Sequence, residues 1–269
     1  KVGTESLMLP ANADQEKINQ RVEETLPILL QRLGIKEKRA VVTLPGRAAF
    51  TRKLQVPVVR GRQLGRIIKY EARQHIPFPL EQVNMDYQVS GPTGDSVELD
   101  INLVAVRKEI ADGYCKILKK CGIQSDIIET APLSIYNAYA ASSLRDTDEV
   151  TAIISIGAAN TDIVIEQGGI MQVMRTAPVA GSNLTALIAK RLNIPPEKAE
   201  ELKTRTTSQF ETSSGEEEPS AEEVASVLEQ GFETIVTEIR RSFDFYVSQA
   251  DAEPVTRVIV CGGTCKMEG

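Results

Sequence analysis

Two glycine-bearing turns carry the residue types best suited to chemistry in this sequence. The first is Ile153-Ile154-Ser155-Ile156-Gly157-Ala158-Ala159-Asn160-Thr161-Asp162-Ile163-Val164-Ile165. Small residues between two apolar strands let backbone N–H groups approach an anion, and Asn160 and Thr161 can add side-chain bonds. An ordinary tight hairpin has the same pattern. The second is Val258-Ile259-Val260-Cys261-Gly262-Gly263-Thr264, a buried strand emptying into a Gly-Gly-Thr turn. Without side chains, Gly262 and Gly263 let a flat group such as adenine lie against the backbone. A strand end that needs positive φ reads the same way. Between the two turns, Ala180-Gly181-Ser182-Asn183 opens a helix whose N–H groups could meet a phosphate. Glu200 and Lys203, three apart on the following helix, share one face.

Composition removes several other chemistries. His75 is the only histidine, which excludes Ser-His-Asp triads and histidine metal sites. Of four cysteines, Cys115 and Cys121 fall in a helical pattern, while Cys261 and Cys265 flank the Gly-Gly turn. Neither pair has the tight spacing of a zinc knuckle, so buried, reduced thiols are expected. A net charge of −6 speaks against a nucleic-acid surface, and Lys and Arg read as spread rather than clustered. No apolar run approaches the roughly 20 residues of a membrane-spanning helix and no signal peptide opens the chain, so the expected compartment is the cytoplasm. His75, at a helix end, reads as an ordinary, partly exposed side chain. Phe78, between two prolines, reads equally as a partner anchor or a core plug.

The elements that must position these turns follow from periodicity. At 269 residues the chain suits about two domains. Residues 12–34 read as helix, with Asn12 and Gln15 as a capping box, Pro27 as a kink or break, and Gly34 as the stop. A buried strand over 40–44 ends at Pro45-Gly46. The block 46–124 then changes character. It reads as a strand, a helix over 62–75, two alternating strands joined by a turn at 91–95, and a helix near 107–121. This is a small α+β module. Beyond it come a strand at 126–129, a helix opening near Pro132, strands at 150–156, 161–166 and 170–176, and helices at 182–192 and 196–206. Residues 208–223, with Glu216–Glu218, read as an exposed acidic loop. Val224, Leu228, Phe232, Ile235, Ile239, Phe243 and Tyr246 mark one long helix over 221–249, leading into a strand at 257–260.

This order of turns and helices resembles the second domain of the actin, heat-shock chaperone and sugar kinase superfamily. By that resemblance, Ser155, Gly157, Ala158, Ala159, Asn160 and Thr161 make up the second phosphate loop, and Gly181 lies near the phosphates. Glu200 and Lys203 would face the ribose and base, and Gly262, Gly263 and Thr264 would border the adenine. The implied cofactors are ATP and Mg²⁺. Within the superfamily, Arg241-Ser242-Phe243-Asp244-Phe245-Tyr246-Val247-Ser248-Gln249 is similar to a long-helix phrase of the type IV pilus assembly protein PilM family. Glu71-Ala72 through His75-Ile76-Pro77-Phe78-Pro79-Leu80, with Asp86-Tyr87, resembles that family's inserted module.

The resemblance implies an α/β, actin-like (ribonuclease H-like) two-domain fold with an FtsA-type α+β insertion. Its expected boundaries are 1–45 and 125–148 for the first domain, 46–124 for the insertion, 149–180 and 235–269 for the second domain, and 181–234 for the outer part of that domain. The implied role is an ATP-binding cytoplasmic scaffold of the type IV pilus machine. It would bind the cytoplasmic N-terminal segment of a PilN-type inner-membrane protein and other pilus assembly proteins, and so sit peripheral to that membrane. Two departures matter. Ser155 stands where the superfamily usually has an aspartate that holds hydrated Mg²⁺, which implies weak or absent ATPase activity. The first phosphate loop would precede Lys1, so the chain reads as a fragment. An FtsA-like division adaptor would add a C-terminal amphipathic helix, and a small-molecule kinase would need a carboxylate base over its substrate. No acidic residue here sits in an obvious motif for that base.

Overall fold

A computed structural model describes residues 3–5, 7, 14–59, 63–89, 98–205, 219–249 and 252–267. The chain divides into two compact units: Lys1–Leu44 with Ala48–Thr130, and Pro45–Arg47 with Ala131–Gly269.

The first unit opens with helix α1, Gln15–Leu33. Its cap is Asp14, whose carboxylate accepts the Lys17 N–H at 2.8 Å. The capping box expected from Asn12 is therefore replaced by Asp14, and Asn12 itself lies outside the described residues. The helix runs through Pro27 as one element and ends at Gly34 with φ 62°. Strand β1, Arg39–Leu44, pairs in parallel with β5, Gln124–Thr130. Strands β2 (Ala49–Pro57), β3 (Val83–Val89) and β4 (Glu98–Arg107) form a separate antiparallel sheet in the order β2-β4-β3. Helix α2, Gln63–His75, seals one face by setting Ile68 and Ala72 against Leu54, Val56, Ile101 and Leu103. Helix α3, Lys108–Lys120, leads back to β5. Phe78 is not a core plug: it is 39% exposed, with the Arg107 guanidinium 5.7 Å above its ring. The turn expected at 91–95 lies outside the described residues, as do 208–218 of the acidic stretch.

The second unit is built on a four-stranded sheet in the order β8-β7-β6-β9. Strands β6 (Thr151–Ile156), β7 (Thr161–Gln167) and β8 (Ile170–Ala177) are antiparallel neighbours, and β9 (Arg257–Cys261) joins β6 in parallel. Both faces of β6 and β7 are covered, which is why these strands read as continuous apolar runs. Helix α4, Ala131–Ala140, lays Tyr136 and Tyr139 on Ile153, Val164 and Met171. On the other face, α7 (Ala221–Val247) packs Ile235 and Tyr246 against Ile154, Ile163, Ile165 and Val173. Ser220 and Glu223 cap α7 reciprocally. Helices α5 (Gly181–Leu192) and α6 (Pro196–Thr204) pack Ile188 and Leu202 on Val224 and Val227 of α7. Burying each such aliphatic side chain contributes about 1.5–3 kcal/mol.

The thiols depart from expectation. All four cysteines are free, but Cys115, Cys121 and Cys261 are half-buried and Cys265 is exposed. Cys115 lies within α3 and Cys121 follows its last turn, while Cys261 ends β9 and Cys265 lies in the turn beyond it, so the core does not close over them.

Candidate functional site

The turn after β6 brings three separated parts of the sequence to one carbonyl. Gly157 N–H donates to Asn160 O at 3.0 Å, which closes the turn, and Ala158 and Ala159 are exposed at its tip. The Gly157 carbonyl accepts the Gly181 N–H at 3.1 Å and the Thr264 hydroxyl at 2.8 Å. Ala158 O accepts the Ser182 N–H at 2.6 Å. The β6–β7 turn, the start of α5 and the turn after β9 are thereby pinned together.

Glycine is required at two of these points. A Cβ at Gly181 would lie 2.6 Å from Thr264 Oγ1 and 3.3 Å from the Gly157 carbonyl. Gly262 has φ +104°, and a Cβ there would collide with the Ile156 carbonyl. Gly263 differs: it is exposed, and no atom lies within 4 Å of where its Cβ would be. An open backbone surface thus stands beside the pinned turns.

The polar residues around this junction are mostly engaged with the protein. Thr161 is buried and its hydroxyl donates to Val179 O at 2.6 Å, so of the polar pair expected at the turn only Asn160 remains half-exposed. Lys203, 8% exposed, donates to Gly181 O at 3.3 Å, Thr185 Oγ1 at 2.8 Å and Glu200 Oε2 at 2.5 Å. Three acceptors match the three protons of an ammonium. Burial raises the Glu200 pKa, but hydrogen bonds from Lys203 and Thr185 outweigh it and hold the carboxyl below its ordinary range. Glu200 remains about half exposed, so of this pair it is the carboxylate that a ligand can reach.

Ser155 is half-buried on β6, directly opposite Asp162 on β7. Asp162 is 8% exposed, and its Oδ1 accepts the Thr176 hydroxyl at 2.5 Å. Burial pushes its pKa up, with the Thr176 bond opposing. Gly46 lies against this pair: a Cβ there would sit 2.5 Å from Asp162 Oδ1 and closer still to Thr176 Oγ1. Sequence reasoning missed Asp162, Thr176 and Thr185 as site neighbours. The register rule alone could have found Asp162, since strands joined by the 157–160 turn place it beside Ser155.

The chain matches the family described as type IV pilus assembly protein PilM over residues 3–269. It belongs to the PilM family. Among solved structures, a chain of the PilM-PilN type IV pilus biogenesis complex is similar at TM-score 0.77 and 23% identity, covering 97% of this chain and 74% of that one. MreB5 of Spiroplasma citri bound to ADP is similar at TM-score 0.50 and 15% identity, covering 91% and 64%. These likenesses show that the PilM-family chain has an actin-like α/β fold. The cell division protein FtsA of Pseudomonas aeruginosa is 28% identical over 231 residues, covering 74% of this chain and 54% of FtsA. FtsA of Bacillus subtilis is 26% identical over 162 residues, covering 55% and 36%. The PilM-family chain thus spans about half or less of the length of these curated relatives.

Within that fold, the residues present suit the polar end of a nucleotide better than they suit a metal ion. The exposed tip at Ala158–Ala159 presents its backbone outward, and Gly263 leaves open backbone for a base, whereas the first amides of α5, Gly181 to Asn183, already donate within the protein. Among the described residues, no group of three or more His, Cys, Asp or Glu side chains is placed to hold a metal.

Proposed function

We propose that this chain is a scaffold of the type IV pilus assembly machine that binds the cytoplasmic N-terminal segment of a PilN-type inner-membrane protein. The observation that carries the reading is the family match over residues 3–269, joined to a solved relative that is itself a PilM-PilN complex. The chain would work at the cytoplasmic side of that membrane. Among the described residues no helix is long and apolar enough to cross it.

The same reading gives the junction at Gly157, Gly181 and Thr264 the role of an ATP site with little turnover. Ser155, Gly157 to Thr161 and Gly181 would hold phosphates, Glu200 and Lys203 would approach the ribose and base, and Gly262 to Thr264 would border the adenine. Bound ATP would supply a charged phosphate chain whose grip on the three turns stiffens the second unit. Mg²⁺ prefers strict octahedral oxygen ligation and keeps much of its water. Ser155 offers that water a hydroxyl and no charge, so an ion here would arrive with the nucleotide. Binding without efficient hydrolysis suits a scaffold.

Calorimetric titration of a PilN-type N-terminal peptide into the protein tests the partner. Saturable heat at tens of micromolar protein is expected; no heat and no competition would remove the scaffold role.

A further inference from the structure

We propose that the outward face of α2 docks on an anionic lipid surface, an inference that takes from the scaffold reading only the nearness of a membrane. Residues 60–73 carry Arg60, Arg62, Arg66, Lys69 and Arg73 against one acid, Glu71, in a chain whose acids outnumber its Lys and Arg by 37 to 31. The expectation that cations are spread along the chain fails here. It fails because linear spacing hides which residues share a helix face. Arg66, Lys69 and Arg73 follow one another at i, i+3 and i+7, with Tyr70 among them, so all four fall within one sector of α2.

Packing fixes which way that sector turns. Ile68 and Ala72 are fully buried on the sheet below, which leaves Arg66, Lys69 and Arg73 exposed and Tyr70 63% exposed. Glu71 sits on the half-buried flank, 3.8 Å from His75. Among the described residues, none of the three cations makes an ion pair or side-chain hydrogen bond, whereas Arg21, Arg107 and Arg257 each meet a carboxylate. The stripe is about 10 Å long at 1.5 Å per residue.

Charge complementarity selects the occupant. A layer of anionic head groups meets all three cations at once and needs no groove, and an exposed tyrosine suits the membrane–water boundary. The whole chain carries a net charge of −6 despite this stretch, so its remaining surface is repelled by such a layer and contact through α2 also sets orientation. Each cation near an anionic surface multiplies partitioning by about fivefold, and three by about a hundredfold. That is weak alone and useful when a membrane partner already tethers the protein.

The test is flotation of the full chain with phosphatidylglycerol-containing vesicles and with phosphatidylcholine vesicles, at low ionic strength and at about 0.15 M salt, where screening is within about 8 Å. Binding only to the anionic vesicles is expected, falling with salt. It should drop by about a hundredfold in Arg66→Gln/Lys69→Gln/Arg73→Gln. The equally charged control Lys36→Gln/Lys38→Gln/Lys116→Gln should bind as wild type, and thermal melts of both variants should match wild type because every site is exposed. No anionic preference, or equal loss in the control, overturns the proposal. So does a poly-glutamate peptide that binds the α2 face while vesicle binding survives the α2 substitutions, since the face is then a peptide site. The PilN-type peptide titration reads out separately, so loss of peptide heat with intact vesicle binding sinks the scaffold reading alone.

Discussion

Replacing Gly181 by alanine should loosen the junction of the three turns without disturbing the sheet beneath. The new methyl would stand 2.6 Å from Thr264 Oγ1 and 3.6 Å from Lys203 Nζ. Thr264 is 7% exposed, so its hydroxyl has little room except by leaving the Gly157 carbonyl. Breaking a buried hydrogen bond costs about 1–3 kcal/mol. Helix propensity opposes this, since alanine is favoured over glycine by up to about 1 kcal/mol. The net cost is then about 1–2 kcal/mol, a factor of roughly 5–30 in local opening. Native-state hydrogen exchange of the Ser182 amide, which donates to Ala158 O, reads that opening directly. The chain has no tryptophan, so global stability is followed by far-ultraviolet circular dichroism in urea. Thr264→Ala removes the group that clashes and leaves Gly157 O its bond from Gly181 N–H. In the Thr264→Ala background, Gly181→Ala should therefore cost at least about 1 kcal/mol less than in wild type. Unchanged Ser182 exchange in Gly181→Ala, or strict additivity of the two substitutions, would refute the claim that these turns are pinned at one carbonyl.

Other expectations bear on the same region. Gly262→Ala should destabilise by about 1–3 kcal/mol, because it combines strained backbone with a collision on Ile156 O. Gly263→Ala should leave the urea midpoint unchanged yet weaken ATP binding in a fluorescent-nucleotide competition; undiminished affinity would place the base elsewhere. Ser155→Asp should raise Mg²⁺-dependent ATP turnover by about 10–100-fold from a low wild-type rate, the size of effect typical of groups that orient a metal's ligands. No gain in a phosphate-release assay would remove Ser155 as the cause of slow turnover. Glu166 is fully buried, with Arg145 Nε 3.8 Å from one carboxylate oxygen and the Gly169 backbone beside it. Burial raises its pKa above the ordinary 4.5, with Arg145 and the Gly169 backbone opposing. A raised carboxyl stabilises the fold below the unfolded value and loses that contribution as pH rises through the folded value. Glu166→Gln should lack this loss, so its stability relative to wild type should grow as pH rises from about 4.5 towards neutrality; a difference independent of pH would sink the assignment.

How far the sequence reveals this molecule depends on whether the signal is local. The apolar runs of β6 and β7, the four-three spacing on α7 and the glycines at 157, 181 and 262 all announce themselves, because each reflects one element's own burial or backbone need. Asp14 was missed as the cap of α1 because Asn12 offers the same chemistry two residues earlier. What lies across strands was hidden. Asp162 reads as one more polar residue until register sets it opposite Ser155 and beside Thr176 and Gly46. Glu166 looks like a solvent-facing strand residue, yet both faces of β7 are covered, so alternation gives no warning. The α2 stripe was hidden for a similar reason: its sector is defined by which side Ile68 and Ala72 bury, and only packing decides that.

The Gly157 carbonyl has a consequence for selectivity. An amide oxygen has two lone pairs, and here both are committed, one to the Gly181 N–H and one to the Thr264 hydroxyl. Ala158 O commits one of its own to the Ser182 N–H. A guest at this turn therefore meets few uncommitted acceptors. A sugar hydroxyl seeking an oxygen, or a bare cation, finds little at Gly157, while an oxyanion can approach the exposed Ala158–Ala159 tip beside a carbonyl whose lone pairs are already taken. The intramolecular bonds that fasten the turn also set its preference for negative charge, so loosening them would blur what it binds as well as where it sits.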